Sequence, residues 1–305
     1  MQKVGGEMFG ETIKKIRKSK NMTLKEATGE ALSISQLSRF ENGLSIITID
    51  LFYEILTNLN TSTDEFNYIM ALEEDKHLID YFDRIEEYTN SQQYDRLHDL
   101  IDEIKATNPS PYSWEQFLIY FIQSLIALDQ AHKKEISPAV LDYLMQVEVW
   151  GEMELRVYAL FGFALDVETT HFLMRTALKR SKQYLKVPST AKLLYIILSN
   201  NFSSFLAFNR IDYAKETLEL FDKEYAENTP HIVPHIDFIF NKGLLAFKEN
   251  RPEDGHNYCQ NAIKMCRDFQ QIEYEKMYTK RYENWRLGYG DPEFKEVTIG
   301  AGFFE

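Results

Sequence analysis

A short segment near the start of the chain has the pattern of three brief helices separated by tight turns. Residues 11–43 read ETIKKIRKSKNMTLKEATGEALSISQLSRFENG. Ile13 and Ile16 give the first helix one apolar face, and charged residues occupy its other sides. Asn21-Met22 interrupts that helix. This arrangement predicts a helix-turn-helix, in which the third helix lies in the major groove of DNA and contacts the bases.

The turns between these helices carry capping residues at the expected spacing. Thr23 is suited to cap the second helix, with Glu26 three residues later as its capping-box partner. Ser33 is suited to cap the third helix, Ile34 to Asn42, and Gly43 follows it at the position where a left-handed glycine ends a helix. Further on, we expect Thr63 to cap another helix.

Charge is distributed unevenly along the chain. Residues 1–45 hold eight Lys or Arg against five Asp or Glu, a net charge of +3, whereas the whole chain carries −13. The other 260 residues therefore carry −16. A basic first segment on an acidic remainder suits a chain whose first segment binds phosphates. The alternative is a helical first segment whose lysines are merely solvated. Between Thr12 and Lys25 there is no acidic residue, and the cations are Lys14, Lys15, Arg17, Lys18, Lys20 and Lys25.

Length and composition indicate two globular domains, which we place at 1–70 and 71–305.

Cys259 and Cys266 are two turns apart on a helix, about 10 Å, too far for a disulfide. No signal peptide or apolar stretch of membrane-spanning length is apparent, so we expect a cytoplasmic protein without a membrane partner.

Motifs of catalysis are missing from the sequence. We find no phosphate-binding loop, dinucleotide fingerprint, nucleophile elbow or zinc-spaced Cys/His set, so we expect no enzyme activity, no cofactor and no metal site. His231 and His235 are four residues apart, but Pro234 lies between them and no third ligand is obvious. We interpret them as loop residues.

The remainder of the chain predicts one helical hairpin after another. Gly243 is followed twelve residues later by Gly255 and, after seven more, by Ala262, the small-residue spacing of a tetratricopeptide unit. The fold class predicted is all-α, a helix-turn-helix domain followed by a tetratricopeptide-like α-solenoid with a concave face. An irregular helical bundle without a groove is the alternative. The hairpins expected are 114–128 with 138–147, 153–165 with 168–184, 198–208 with 211–218, and 238–247 with 252–262.

The chain resembles the Rgg/MutR family of Gram-positive transcription regulators, within the group of peptide-pheromone receptors that also contains PlcR and PrgX. In the first domain the resemblance rests on Ser33-Ile34-Ser35-Gln36-Leu37-Ser38-Arg39-Phe40-Glu41-Asn42-Gly43, followed by Leu56 and Asp64-Glu65-Phe66, and in the second on Val149-Trp150-Gly151-Glu152-Met153-Glu154-Leu155. The resemblance implies a head of the XRE or lambda-repressor type, a homodimer, a cytoplasmic location, double-stranded operator DNA, and a short hydrophobic signalling peptide bound in the solenoid groove.

The resemblance places the base-contacting positions on the third helix. Arg39 is suited to bind guanine with two hydrogen bonds, and Gln36 to bind adenine or a phosphate. Arg17 has two interpretations, contact with a phosphate and an ion pair with Glu41, and we expect both. The predicted DNA-binding residues are Lys15, Arg17, Lys18, Thr23, Lys25, Ser33, Ser35, Gln36, Ser38, Arg39 and Asn42.

The resemblance also implies asparagines that bind the backbone of a peptide. Asn201 matches one such position, Asn241 lies comparably in its own helix, and Arg156 offers a charged contact or is a solvated helix residue. A further asparagine expected after Trp150-Gly151 is Leu160 here, a departure that bears on the length and register of the ligand. The predicted peptide-binding residues are Arg156, Asn201, Phe205, Asp237, Phe240, Asn241 and Leu244.

Two functions fit these features. The first is a transcription regulator controlled by a peptide pheromone in quorum sensing. The second is a DNA-binding repressor whose helical body serves only dimerisation or docking to another protein.

Overall fold

The computed structural model describes residues 5–30, 32–226 and 232–288. The regular elements within these ranges are all helical, with fifteen α-helices and a few short 3₁₀ or π turns. The α-helices are α1 (Gly5–Ser19), α2 (Leu24–Thr28), α3 (Ile34–Glu41), α4 (Ile49–Asn58), α5 (Thr63–Asn90), α6 (Tyr94–Ala106), α7 (Trp114–Ala131), α8 (Pro138–Gln146), α9 (Glu152–Phe161), α10 (Val167–Arg180), α11 (Pro188–Ala207), α12 (Ile211–Leu220), α13 (Ile232–Lys248), α14 (Pro252–Asp268) and α15 (Ile272–Gly288).

The chain divides into two compact units, Met1–Ser91 and Gln92–Glu305, which we call the head and the body. The boundary expected after residue 70 falls inside α5, because this helix runs without interruption from Thr63 to Asn90.

Local capping residues set the helices of the head. Thr23 and Ser33 cap α2 and α3. In both capping boxes, the side chain of the third helical residue accepts a hydrogen bond from the backbone N–H of the cap. Gly43 follows α3 at φ 69°, in the left-handed region, as predicted. The cap of α5 differs from the prediction: Ser62 accepts from the Glu65 amide and Glu65 accepts from the Ser62 amide, so Thr63 is the first helical residue.

The core of the head is apolar and draws on all five of its helices. Ile13, Leu37, Phe40, Leu56 and Phe66 are buried together. Where α1 crosses the end of α3, only a glycine fits. A Cβ atom on Gly10 would lie 1.9 Å from the Phe40 carbonyl oxygen.

The body consists of the helical hairpins that the sequence predicts. They are α7 with α8, α9 with α10, α11 with α12, and α13 with α14. Before them α6 packs on α7, and α15 follows the last of them. The first helix of each hairpin packs on the first helix of the next, so α7, α9, α11, α13 and α15 form a continuous row, which we call the inner row. Neighbours in a row of this kind bury a common core, which is the packing of a tetratricopeptide-like solenoid.

Glycine permits the closest packing in the body, between α13 and α14. A Cβ on Gly243 would lie 2.5 Å from Cys259 Sγ, and one on Gly255 would lie 2.9 Å from the Phe247 ring. Cys259 and Cys266 are both buried free thiols.

Trp150 fixes the entry to α9. Its indole Nε1 donates to the carbonyl oxygens of Leu144 and Val147 at the end of α8, both at 3.2 Å. Arg180 Nη1 donates to the same two carbonyls and to that of Met145. These donors satisfy helix-end carbonyls that would otherwise lack partners. In the part of the chain that the structure describes, no helix combines the length and the apolar character required to cross a membrane.

Candidate DNA-binding surface and candidate peptide groove

The third helix of the head presents one polar edge. Leu37 and Phe40 anchor α3 in the core, and α3 packs on α1 and α2. On its other side Ser38 is half-buried. The exposed predicted residues there are Ser33, Ser35, Gln36, Arg39 and Asn42. The predicted base-contacting residues therefore share one accessible face of a helix that is held from behind.

Capping orients Gln36. Its Oε1 accepts hydrogen bonds from the backbone N and Oγ of Ser33, at 3.1 and 3.0 Å. The amide group is thereby held at the start of α3, with its donor end directed away from the cap. Arg39 is held more loosely, because its contact within the head is a 3.3 Å bond from Nη2 to the Leu44 carbonyl.

The predicted ion pair between Arg17 and Glu41 is present and clamps α1 to α3. Arg17 Nε and Nη2 donate to the two carboxylate oxygens of Glu41, at 2.6 and 2.7 Å, and Nη1 donates to the Met22 carbonyl at 2.8 Å. The hydrogen bond to Glu41 raises the pKa of the Arg17 guanidinium. With its side chain only 11 % exposed, Arg17 serves to position α3. A phosphate contact from Arg17 stays a prediction.

Two other cations of the basic segment also have structural roles. Lys14 Nζ donates to Asn42 Oδ1 at 2.7 Å, which ties α1 to the end of α3. Lys20 Nζ donates to the carbonyls of Leu59 and Asn60. Its positive charge there interacts favourably with the negative end of the α4 dipole. Among the predicted DNA-binding residues outside α3, Lys15, Lys18, Thr23 and Lys25 have exposed side chains, as a phosphate contact requires.

The residues predicted to bind peptide are mostly interior in the body. Asn201 is 6 % exposed, and its Nδ2 donates to Tyr158 Oη at 2.8 Å, joining α11 to α9. Burial raises the pKa of Tyr158, so its phenol stays neutral and donates in turn to the Thr170 carbonyl. Phe205 and Leu244 are core residues. In this arrangement the amide donor of Asn201 braces two helices and is not offered to a ligand.

Asp237 and Asn241 belong to a buried polar cluster between α11, α13 and α15. Asp237 accepts from Ser199 Oγ at 2.7 Å, from Asn241 Nδ2 at 3.0 Å and from Tyr278 Oη at 2.9 Å. Phe240 stacks on the ring of Tyr278, with the two centroids 4.6 Å apart. The cluster ties three successive helices of the inner row together.

Arg156 is the predicted peptide contact with an exposed side chain. Its Nη2 lies 2.6 Å from Glu152 Oε1, one turn away on α9. Burial acts to raise the pKa of Glu152, but hydrogen bonds from Ser189 and Arg156 and the Arg156 charge together outweigh it, so the pKa is lowered. Ser189 lies on α11, so its bond to Glu152 brings α9 and α11 together at this point. Arg156, the ion-pair partner of Glu152, therefore lies at the edge between these two helices.

The register of the hairpins identifies a residue that sequence reasoning missed. α12 begins at Ile211 and α14 at Pro252, so equivalent positions in the two hairpins differ by 41 residues. Asn241 then corresponds to Asn200 and not to Asn201. Asn200 is half-buried, one residue and about 100° around the helix from Asn201. Ser199 and Tyr278, which donate to Asp237, were also missed, because no periodic pattern marks a polar side chain that bonds across helices.

Within the described ranges, no group of three His, Cys, Asp or Glu residues is arranged to hold a metal ion. His231 lies outside the described residues. His235 lies in α13, where its ring contacts Phe221.

Comparison with known proteins agrees with both units. Residues 13–66 match the helix-turn-helix family model, and residues 129–283 match the model of the C-terminal domain of the transcriptional regulator Rgg. Solved structures also share the fold, among them three that are similar to this chain over most of its length. A proposed transcriptional regulator from Listeria monocytogenes EGD-e is 24% identical, with a TM-score of 0.69 over 91% of this chain and 97% of that one.

The other two structures are less similar in sequence. The SHP pheromone receptor Rgg2 of Streptococcus dysgalactiae is 19% identical, with a TM-score of 0.66 over 90% of this chain and 98% of that one. PrgX in its complex with cCF10 is 12% identical, with a TM-score of 0.63 over 90% and 98%. At these identities the likeness establishes the fold, and the match to the family model, which spans half of the chain, establishes the family. This chain belongs to the Rgg family of helix-turn-helix transcription regulators.

Proposed function

We propose that this chain is a cytoplasmic regulator that binds operator DNA as a homodimer and is controlled by a short hydrophobic peptide pheromone in quorum sensing. The observation that carries the DNA half is the exposed edge of Ser35, Gln36 and Arg39 on a helix held from behind by the Arg17–Glu41 pair. Amide and guanidinium groups on such an edge match the donor and acceptor pattern of the major groove.

The peptide half of the proposal is supported by the inner row. Asn200, Asn241 and Asp237 bring amide and carboxyl groups to helices that could have packed through apolar side chains alone. An amide both donates and accepts, so it binds the backbone of an extended peptide whatever the side chains are. Rgg2, which shares this fold, is a pheromone receptor by name, and PrgX, which also shares it, forms a complex with cCF10.

A peptide bound along the inner row changes the balance between two arrangements of the helices, provided that it binds one of them more tightly. In a homodimer, such a change alters the spacing of two recognition helices, which must meet successive major grooves about 34 Å apart. Peptide binding in the groove would thus change DNA affinity without any contact between peptide and DNA.

A second candidate function is a DNA-binding repressor whose body serves only for dimerisation or protein docking. It is favoured by one observation: six of the seven predicted peptide contacts are buried, and Asn201 and Asp237 are bonded to other side chains. The two candidates differ in whether a peptide stabilises the body and alters DNA affinity.

The experiment that separates them uses the full-length chain. An operator is selected from random duplexes, and its affinity is measured with and without a synthetic pool of octapeptides made of Leu, Ile, Val, Phe and Gly. We expect the pool to raise the melting temperature, since a ligand at a hundred times its dissociation constant adds about 2.7 kcal/mol. Operator affinity should change by about 5-fold or more. A pool that leaves both quantities unchanged supports the repressor without a peptide ligand.

A further inference from the structure

A narrow cleft opens between α11, α12 and α13, beside the buried polar cluster. Its polar wall includes Ser199, Thr217, Asp237 and Asn241, and aromatic rings such as Phe202 and Phe238 form the remainder. The space within it is about 10 Å³, roughly the room that a single water-sized group needs. It therefore accepts the end of a ligand and not a whole peptide.

Asp237 brings a buried carboxylate without a direct ion-pair partner to this cleft. The residue is 3 % exposed, and its partners Ser199, Asn241 and Tyr278 are all neutral donors. Burial raises the pKa of Tyr278, so this phenol stays neutral and donates. Arg281 is buried near this cluster, but no described Lys, Arg or His forms an ion pair with Asp237. A buried carboxylate is usually paired with a cation, because its burial is otherwise costly.

Asn241 adds a second acceptor that has no partner. Its Oδ1 is buried and makes no hydrogen bond with any described residue. The orientation of the amide is fixed by chemistry, since Nδ2 faces the Asp237 carboxylate at 3.0 Å and a flipped amide would place two acceptors against each other. A buried acceptor without a partner destabilises the fold, and a ligand bearing a donor would remove that cost.

The two acceptors, one charged and one neutral, define the ligand chemistry. A primary ammonium carries a positive charge and three donors in a group about as large as a water molecule. Divalent cations are a poor fit, because Ca²⁺ and Mg²⁺ take six or more oxygen ligands. A guanidinium is a wide planar fork and needs more room than this cleft provides.

We propose that the cleft binds the primary ammonium group of the signalling peptide, with Asp237 as its counter-charge and Asn241 Oδ1 as its second acceptor. This inference rests on the proposed function, because it assigns a chemical group to the ligand of the same groove. The ammonium is that of the peptide's N-terminus or of a lysine side chain. Either source anchors one end of the peptide at α11 and α13.

The test uses three pools of synthetic octapeptides with the same apolar composition. The first has a free N-terminus, the second is N-acetylated, and the third is N-acetylated with one lysine. Binding is measured by thermal-shift titration of the full-length wild-type chain, of Asp237→Asn, and of Asp222→Asn. Asp222 is exposed at the end of α12, so this control removes the same charge without altering the cleft.

For the wild type and for Asp222→Asn, we expect the free-terminus pool to bind about tenfold more tightly than the acetylated pool, since bonds to charged groups are worth about 1.5–3 kcal/mol. In Asp237→Asn the ratio should fall below about twofold. Recovery of tight binding by the lysine pool alone assigns the ammonium to a side chain.

Equal binding of all three pools to the wild type would overturn the inference and leave the proposed function standing, and so would a tenfold ratio that persists in Asp237→Asn. Failure of every pool to bind contradicts the proposed function itself. The comparison of pools on the wild type decides the inference even if Asp237→Asn does not fold.

Discussion

Replacement of Glu41 by alanine is expected to destabilise the head by about 3–5 kcal/mol and to abolish sequence-specific DNA binding. The Glu41 side chain is 2 % exposed, and its removal leaves the Arg17 guanidinium, 11 % exposed, without its carboxylate. The loss is large because the remaining charge stays buried without compensation. Amide hydrogen exchange in α1 and α3 of the full-length chain measures the effect in the head alone.

The control for this prediction is the double variant Arg17→Met with Glu41→Leu. Replacing both partners by apolar groups removes the uncompensated charge, so the double variant should be much more stable than Glu41→Ala. If it is stable but binds DNA weakly, Arg17 also contacts a phosphate. Unchanged exchange rates in Glu41→Ala would show that the pair does not clamp α1 to α3.

Gly10→Ala is expected to cost about 3 kcal/mol or more, which is large for the addition of one methyl group. The new Cβ would lie 1.9 Å from the Phe40 carbonyl oxygen and 3.2 Å from Glu41 Cα. Both are backbone atoms, so no side-chain rotation relieves the clash and α1 must move away from α3. DNA affinity should fall with stability, because α3 loses its support.

The matched control is Gly162→Ala. Gly162 has φ −53° and ψ −33°, and a Cβ there meets nothing within 4 Å. This substitution should stabilise the body by about 0.4–1 kcal/mol, because it restricts the unfolded chain. Chemical denaturation of both variants provides the comparison, and a Gly10→Ala chain as stable as the wild type would show that α1 and α3 do not pack as closely as described.

The elements that the sequence predicts well are those set by neighbouring residues. Thr23 and Glu26 form the predicted capping box, and Ser33 caps α3 as predicted, with Gln36 as its partner three residues later. The same rule applied strictly would have selected Ser62, since Glu65 stands three residues after it and Thr63 has no such partner. Gly243, Gly255 and Ala262 likewise mark α13 and α14, because close helix packing requires small residues at fixed spacing.

The interior of the body could not be predicted in the same way. Asn201 and Tyr158 are 43 residues apart, and the bond between them depends on the angle at which α9 and α11 pack. A shift of one residue turns a helical side chain by about 100°, so the choice between Asn200 and Asn201 requires the register of the hairpins. The Asp237 cluster likewise joins three helices that sequence spacing does not relate.

DNA selectivity of Arg39→Ala tests the central claim most directly. Affinities of the wild type, Arg39→Ala and Lys18→Ala for the selected operator and for random duplex DNA are measured at several salt concentrations. Arg39→Ala should lose about 1–3 kcal/mol on the operator and far less on random DNA, because a base contact carries discrimination. Lys18→Ala should weaken both alike and reduce the salt slope by about one. An Arg39→Ala chain with unchanged operator affinity and selectivity would contradict the assignment of α3 as the helix that reads DNA.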